Sequence, residues 1–136
     1  MTVDEQRSRT MRAVRSQDTK PELIVRRLVH SLGFRFRLHR KDLPGKPDLV
    51  FPSRQKIILV HGCFWHGHHC ARGSRVPKTN SEYWLAKIAR NRSRDQRVRQ
   101  ELGDAGWKTF TVWECELSRK EVLGPSLFEF LNDDVR

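Results

Sequence analysis

Apolar positions along the chain change their period several times, and each change marks an element. Leu23, Ile24, Leu28 and Leu32 recur at helical spacing. Thr19-Lys20-Pro21-Glu22 precedes them in the form of a capping box: Thr19 can cap the first amides, Pro21 suits a first turn, and Glu22 can reach back. Gly33 is a natural stop. The pattern predicts a helix over 20–32. Phe34 to His39 then alternates strictly, which predicts a strand with Arg35, Arg37 and His39 on its open face. Leu43 to Pro47 reads as a turn, and Asp48 to Phe51 as a short strand that opens on a carboxylate. After a second turn, Pro52 to Arg54, the chain returns from Lys56 to Val60 as a central strand. Residues 34–60 are thus expected to form a three-stranded antiparallel meander.

A loop from Ala71 to Asn80 leads into a long helix predicted over 81–104, capped by Asn80 or Ser81. Trp84, Leu85, Ile88, Val98 and Leu102 give it an apolar side, and Lys87, Arg90, Arg94 and Arg97 a basic stripe. Trp107 to Trp113 alternates again. A strand there is expected to run parallel to an earlier one, because a helix intervenes. Arg119 to Leu131 reads as helical with an interruption near Gly124-Pro125. The order α-β-β-β-α-β-α predicts an α/β fold with a mixed central sheet flanked by helices. In such folds functional groups gather at strand ends and adjoining loops.

Length and charge narrow the picture. A chain of 136 residues is expected to make a single domain. Residues 1–18 are polar and basic, with Arg7, Arg9, Arg12 and Arg15 and Met11 as the largest apolar anchor. They read either as an arm that orders on a partner or as a solvated tail, ahead of a domain over 19–136. The net charge of +11 points first to a polyanion, and nucleic acid is the commonest. No apolar stretch approaches the roughly 20 residues of a spanning helix, and the N-terminus has no apolar signal core. The expectation is a cytoplasmic protein without a membrane partner. Three cysteines suit a metal better than a disulfide framework in that compartment.

The candidate chemistry is concentrated in His61-Gly62-Cys63-Phe64-Trp65-His66-Gly67-His68-His69-Cys70, which holds four of the six histidines and two of the three cysteines. It follows the apolar run Ile57 to Val60, so a rigid strand is expected to carry a loop dense in ligands. Cys63, Cys70 and Cys115 offer three thiolates for a tetrahedral zinc, and His68 or His69 can complete the set. The bland alternative is three buried free thiols. Asp48, at the start of one strand, can meet the end of the next near Val60-His61. A carboxylate with a backbone carbonyl and waters suits Mg2+, which can polarise a phosphoryl group. His61 and His66 are the candidates for a general base. Phe64 and Trp65 either fill the core or wedge between bases. The basic stripe, beginning at Lys87, either tracks phosphates or faces solvent.

Taken together, Met11-Arg12-Ala13, Gly45-Lys46-Pro47-Asp48, His61 to His66, His68 with Cys70, Trp84-Leu85 with Lys87-Ile88, Asn91, Arg94-Asp95 and Val112 to Cys115 resemble the very short patch repair endonucleases, the Vsr family of T:G mismatch nickases. The resemblance covers nearly the whole chain. It implies a fold similar to type II restriction endonucleases, the PD-(D/E)XK class, with a structural zinc. It implies nicking 5′ to the thymine of a T:G mismatch left by deamination of 5-methylcytosine, in double-stranded DNA. The expected state is a monomer, with mismatch-repair proteins as candidate partners. By the same resemblance, Asp48 and the Val60 carbonyl would hold catalytic Mg2+, His66 would be the general base, and His61 would contact the scissile phosphate or a metal-bound water. Glu22 would support the metal site through water. Cys63, His68, Cys70 and Cys115 would bind Zn2+. Phe64 and Trp65 would enter the base stack from one groove and Met11 from the other, while Lys87, Asn91 and Arg94 would contact DNA. The acidic residue and lysine usual on the strand after the aspartate are absent from Ile57-Ile58-Leu59-Val60-His61.

Overall fold

The computed structural model describes residues 19–71, 73–75 and 77–133. The expected arm of residues 1–18, with Met11, lies outside them. Among the described residues, three α-helices and four strands follow in the order α1 (Lys20–Ser31), β1 (Arg37–Leu38), β2 (Leu49–Phe51), β3 (Lys56–His61), α2 (Ser81–Asp104), β4 (Lys108–Trp113) and α3 (Lys120–Asn132). Short 3-10 turns occupy Pro52–Arg54 and Glu114–Ser118.

The strands form one mixed sheet in the order β1-β2-β3-β4. β1–β2 and β2–β3 are antiparallel, as the meander required, and β3–β4 is parallel, with Ile57 opposite Thr109 and His61 opposite Trp113. Strand alternation sends side chains to two cores. Leu49, Phe51, Ile58 and Val112 meet Val25 and Val29 of α1 and Leu123, Leu127 and Leu131 of α3. Val50, Ile57 and Leu59 meet Leu102 of α2, with Val98 and Trp107 at the rim. Two helices therefore cover one face and the long basic helix the other. Because β2 runs against β3, the start of β2 lies beside the end of β3, and the end of β4 lies there too. Asp48, His61 and Trp113 share one end of the sheet.

Four local expectations need correction. Thr19 does accept the Glu22 N–H, at 3.4 Å, but Glu22 does not reach back to complete the capping box. Its carboxylate turns to Arg26 and His39. The helix is accordingly rotated, and its buried stripe is Glu22, Val25 and Val29, with Leu23, Ile24 and Leu28 half-buried. β1 keeps only two of its expected six residues, Arg37 and Leu38, and ends where His39 takes a left-handed φ of 47°. His39 consequently does not share the open face with Arg35 and Arg37. Neither Asn80 nor Ser81 caps α2 through its side chain; Asn80 precedes it with φ 55° and only its carbonyl accepts, from Trp84. Finally, α3 continues through Gly124-Pro125. An internal proline costs about 3 kcal/mol, and three buried leucines one helical turn apart offset it at roughly 1.5–3 kcal/mol each.

Candidate active site

Three clusters of ligand-type side chains converge on the shared sheet end, each with its donor atoms within 4.8 Å of one another. The first is Glu22, His39 and Asp48. Asp48 stands just ahead of β2 and accepts the Val60 N–H at 2.8 Å, so the expected meeting of Asp48 with Val60 occurs. Glu22 is 1 % exposed on α1, and His39 Nε2 lies 2.9 Å from its Oε2. Burial is the largest influence on Asp48 and raises its carboxyl to about 7; Glu22 adds repulsion, while the Val60 N–H and His39 pull the other way. Two carboxyls forced together in a dry site favour a bound cation, which removes both the repulsion and the proton.

The second cluster is His61, His66 and Asp95. His61, at the end of β3, faces the same way as Ile57 and Leu59, toward α2. His66 stacks on it with ring centres 3.9 Å apart and planes within 2°. Asp95, from the middle of α2, hydrogen-bonds His66 Nδ1. That bond fixes the ring and leaves Nε2 as its other working atom. Burial raises the Asp95 carboxyl, but the hydrogen bond and charge of His66 outweigh this and the net value is below the usual carboxylate range. Burial, then the neighbouring His66, push His61 down to about 3, so His61 is neutral near physiological pH. Its Nδ1 is buried and has no hydrogen-bond partner among the described residues. A buried polar atom without a protein partner is expensive, and a water or an ion can satisfy it.

Cys63, His68, Cys70 and Cys115 make the third cluster. His68 joins it, and His69 is exposed beside it. Cys115 Sγ lies 3.6 Å from His68 Nδ1, the edge of a tetrahedron whose zinc bonds are roughly 2.0–2.3 Å. Backbone N–H groups of Gly73 and Cys115 donate to the sulfurs of Cys70 and Cys63, each at 3.3 Å. The bond from His68, then the Gly73 N–H, bring Cys70 down to about 6. Burial pushes Cys63 up to about 12 and raises Cys115. Such a donor set fits a thiophilic ion that displaces the remaining protons. Gly73 lets the chain pass so close that a Cβ would stand 2.1 Å from the His68 carbonyl oxygen.

Phe64 and Trp65 are half-buried and absent from both cores. Phe64 leans on the buried Trp84 at 6.0 Å. Asn91 donates to the Trp65 carbonyl at 2.9 Å, and Lys87 lies over the Trp65 ring at 5.3 Å. Lys87, Asn91 and Asp95 thus descend one face of α2 toward the paired histidines, with Arg94 exposed alongside. Two participants were missed from sequence. Asp95 was visible as the only acidic residue between Tyr83 and Gln100. His39 was hidden by the alternation that placed it on an open strand face.

A mixed sheet with helices on both faces, carboxylates and imidazoles at one sheet end and a basic helix above them define a nuclease-like α/β protein. Residues 1–72 match the family model described as DNA mismatch endonuclease Vsr. The chain is 57 % identical over 114 residues to the type II nicking enzyme V.XorIIP of Xanthomonas oryzae, covering 84 % of this chain and 83 % of the relative. It is 43 % identical over 117 residues to the DNA mismatch endonuclease Vsr of Escherichia coli, covering 86 % and 74 %. A further 43 % identity over 116 residues relates it to the type II nicking enzyme V.NmeAIP of Neisseria meningitidis, over 85 % and 82 %. The chain belongs to the Vsr family of DNA mismatch endonucleases.

Proposed function

We propose that this endonuclease nicks one strand of double-stranded DNA 5′ to the thymine of a T:G mismatch, as a monomer in the cytoplasm, in very short patch repair. The observation that supports it best is the His61–His66–Asp95 stack standing at the same sheet end as Asp48. Asp48 and the Val60 carbonyl would hold Mg2+, with Glu22 behind them. When bound, the ion supplies Lewis acidity and charge neutralisation at the phosphoryl group. His66 takes the proton of the attacking water on Nε2, while Asp95 holds Nδ1 and balances the imidazolium that forms. His61, neutral and stacked, would contact the scissile phosphate or a metal-bound water. Cys63, His68, Cys70 and Cys115 would bind Zn2+ and brace the loop that carries His66. On that braced loop Phe64 and Trp65 can enter the stack where pairing is weakest, with Lys87, Asn91 and Arg94 on the backbone and Met11, from the arm of residues 1–18, in the opposite groove. In this reading residues 19–136 form one restriction-endonuclease-like domain.

Nicking of T:G and matched duplexes of identical sequence tests the assignment. The expected outcome is Mg2+-dependent cleavage of the T:G duplex at least about 100-fold faster, falling roughly 1,000-fold or more in Asp48→Ala. Equal rates on both duplexes would show a nicking enzyme without a mismatch requirement, as the names of two relatives allow. Binding without Asp48-dependent cleavage on any mismatch would leave a zinc-stapled DNA-binding module.

A further inference from the structure

The carboxylate cluster contains one side chain that the hydrolysis just described does not use. His39 sits with its side chain 13 % exposed and Nε2 2.9 Å from Glu22 Oε2. The backbone adopts φ 47° there, a conformation that is uncommon outside glycine. The His39 N–H still donates to the Asp48 carbonyl at 3.3 Å, in register with the β1–β2 pairs. The chain thus leaves a regular strand, where the ring would face solvent, and accepts strain to aim a nitrogen at two carboxylates. Arg26 pins Glu22 through the same oxygen.

Glu22 and Asp48 alone would be an oxygen-only set, the preference of Mg2+. An imidazole nitrogen within 4.8 Å of both changes that preference. Mg2+ gains little from nitrogen, whereas first-row transition ions accept mixed nitrogen and oxygen donors. The 2.9 Å separation of His39 Nε2 from Glu22 Oε2 matches adjacent donors of an octahedron with bonds of roughly 2.1–2.2 Å. We propose that His39 is a further ligand of the divalent ion held by Asp48 and the Val60 carbonyl beside Glu22, and that adding an imidazole to this oxygen set favours Mn2+ over Mg2+. The proposal rests on the reading of Asp48 as a metal-binding residue.

Mn2+ is the probe, added to the full-length, zinc-loaded protein freed of other divalent ions. Electron paramagnetic resonance counts free Mn2+, competition with Mg2+ gives the preference, and pulsed measurements read nitrogen-14 coupling to the bound ion. Wild type is expected to bind Mn2+ at least about 10-fold more tightly than Mg2+ and to show imidazole nitrogen coupling. His39→Gln leaves Glu22 a hydrogen-bond partner; it should lose the coupling and most of the preference, and His39→Asn should do the same. A wild-type complex without nitrogen coupling overturns the proposal with no variant needed. Coupling that persists in a folded His39→Gln protein overturns it equally. Asp48→Asn separates the two readings. Undiminished Mn2+ binding in that variant sinks the Asp48 site itself, whereas Asp48-dependent binding without nitrogen coupling sinks only the role of His39.

Discussion

Cys63, His68 and Cys70 come from a loop, and Cys115 from a turn; Glu22 and Asp48 come from elements that the core already fixes. Val25 and Val29 lock α1 beneath Glu22, and Leu49 and Val50 lock β2 behind Asp48, all at zero exposure. Around the thiols only Cys63 is fully buried, and His68, Cys70 and Cys115 are partly or fully open to solvent. The two clusters therefore use binding energy in opposite directions. The carboxylate site is held in place by apolar packing and carries an electrostatic cost that an ion would relieve. The thiol site has little packing of its own, so an ion there would supply the order. His66 lies between them, positioned by Asp95 from the rigid helix and carried by the loop the thiols would brace.

The sharpest way to break this contrast is to remove one thiol. Cys115→Ala should release the zinc and lower the unfolding midpoint by about 10 °C, because the ion would no longer tie the loop to the turn after β4. Metal analysis with thermal unfolding measures both. If the variant still carries one zinc and unfolds where wild type does, the bracing role is wrong. Asp48→Asn in the same assay should keep its zinc.

Asp95→Asn tests the bridge between the clusters. The amide keeps the shape of the His66 contact and removes the charge that balances an imidazolium. The expected result is a kcat lower by about 100-fold with KM for DNA and zinc content unchanged. A loss confined to KM would instead make Asp95 part of the DNA-binding face of α2.

How far these clusters could be read from sequence follows from how local their signals are. Cys63, Cys70 and His61 to His69 announce themselves because they crowd into one short stretch, and the mixed sheet follows from the apolar run in 56–60 and the alternation in 107–113 with a helix between. Asp95 needed the stacking of α2 on β3, a contact set by Leu102 and Val98 that no local pattern encodes. The family resemblance put Glu22 at the metal site, while a short-range reading of its capping position pointed its side chain the wrong way. His39 obeyed the strand alternation until a single left-handed residue ended it. Tertiary contacts decided each of these, and local periodicity was silent on all three.

The smallest effect isolates the electrostatic cost of the carboxylate site, in zinc-loaded protein without other divalent ions. Asp48 is raised to about 7 in the fold against roughly 3.9 in an unfolded chain. The folded state therefore holds the extra proton between those values, and the stability this confers is lost as pH rises through 7. His61, lowered to about 3 from roughly 6.5 unfolded, acts in reverse: stability is lost as pH falls below 6.5. Over their shared window the two slopes oppose, so wild type should change little from pH 4.5 to 6. Asp48→Asn removes one slope and keeps an acceptor for the Val60 N–H. The variant should then gain stability with pH over that window by about 1 kcal/mol per unit. Its advantage over wild type should grow up to about pH 7 and level off above it. Denaturant titrations at pH 5, 6, 7 and 8 measure the difference, in which every other titrating group cancels. A difference that stays flat across those four values would mean that Asp48 is not strained in the fold, and that the carboxylate site, like the thiol site, is held without electrostatic cost.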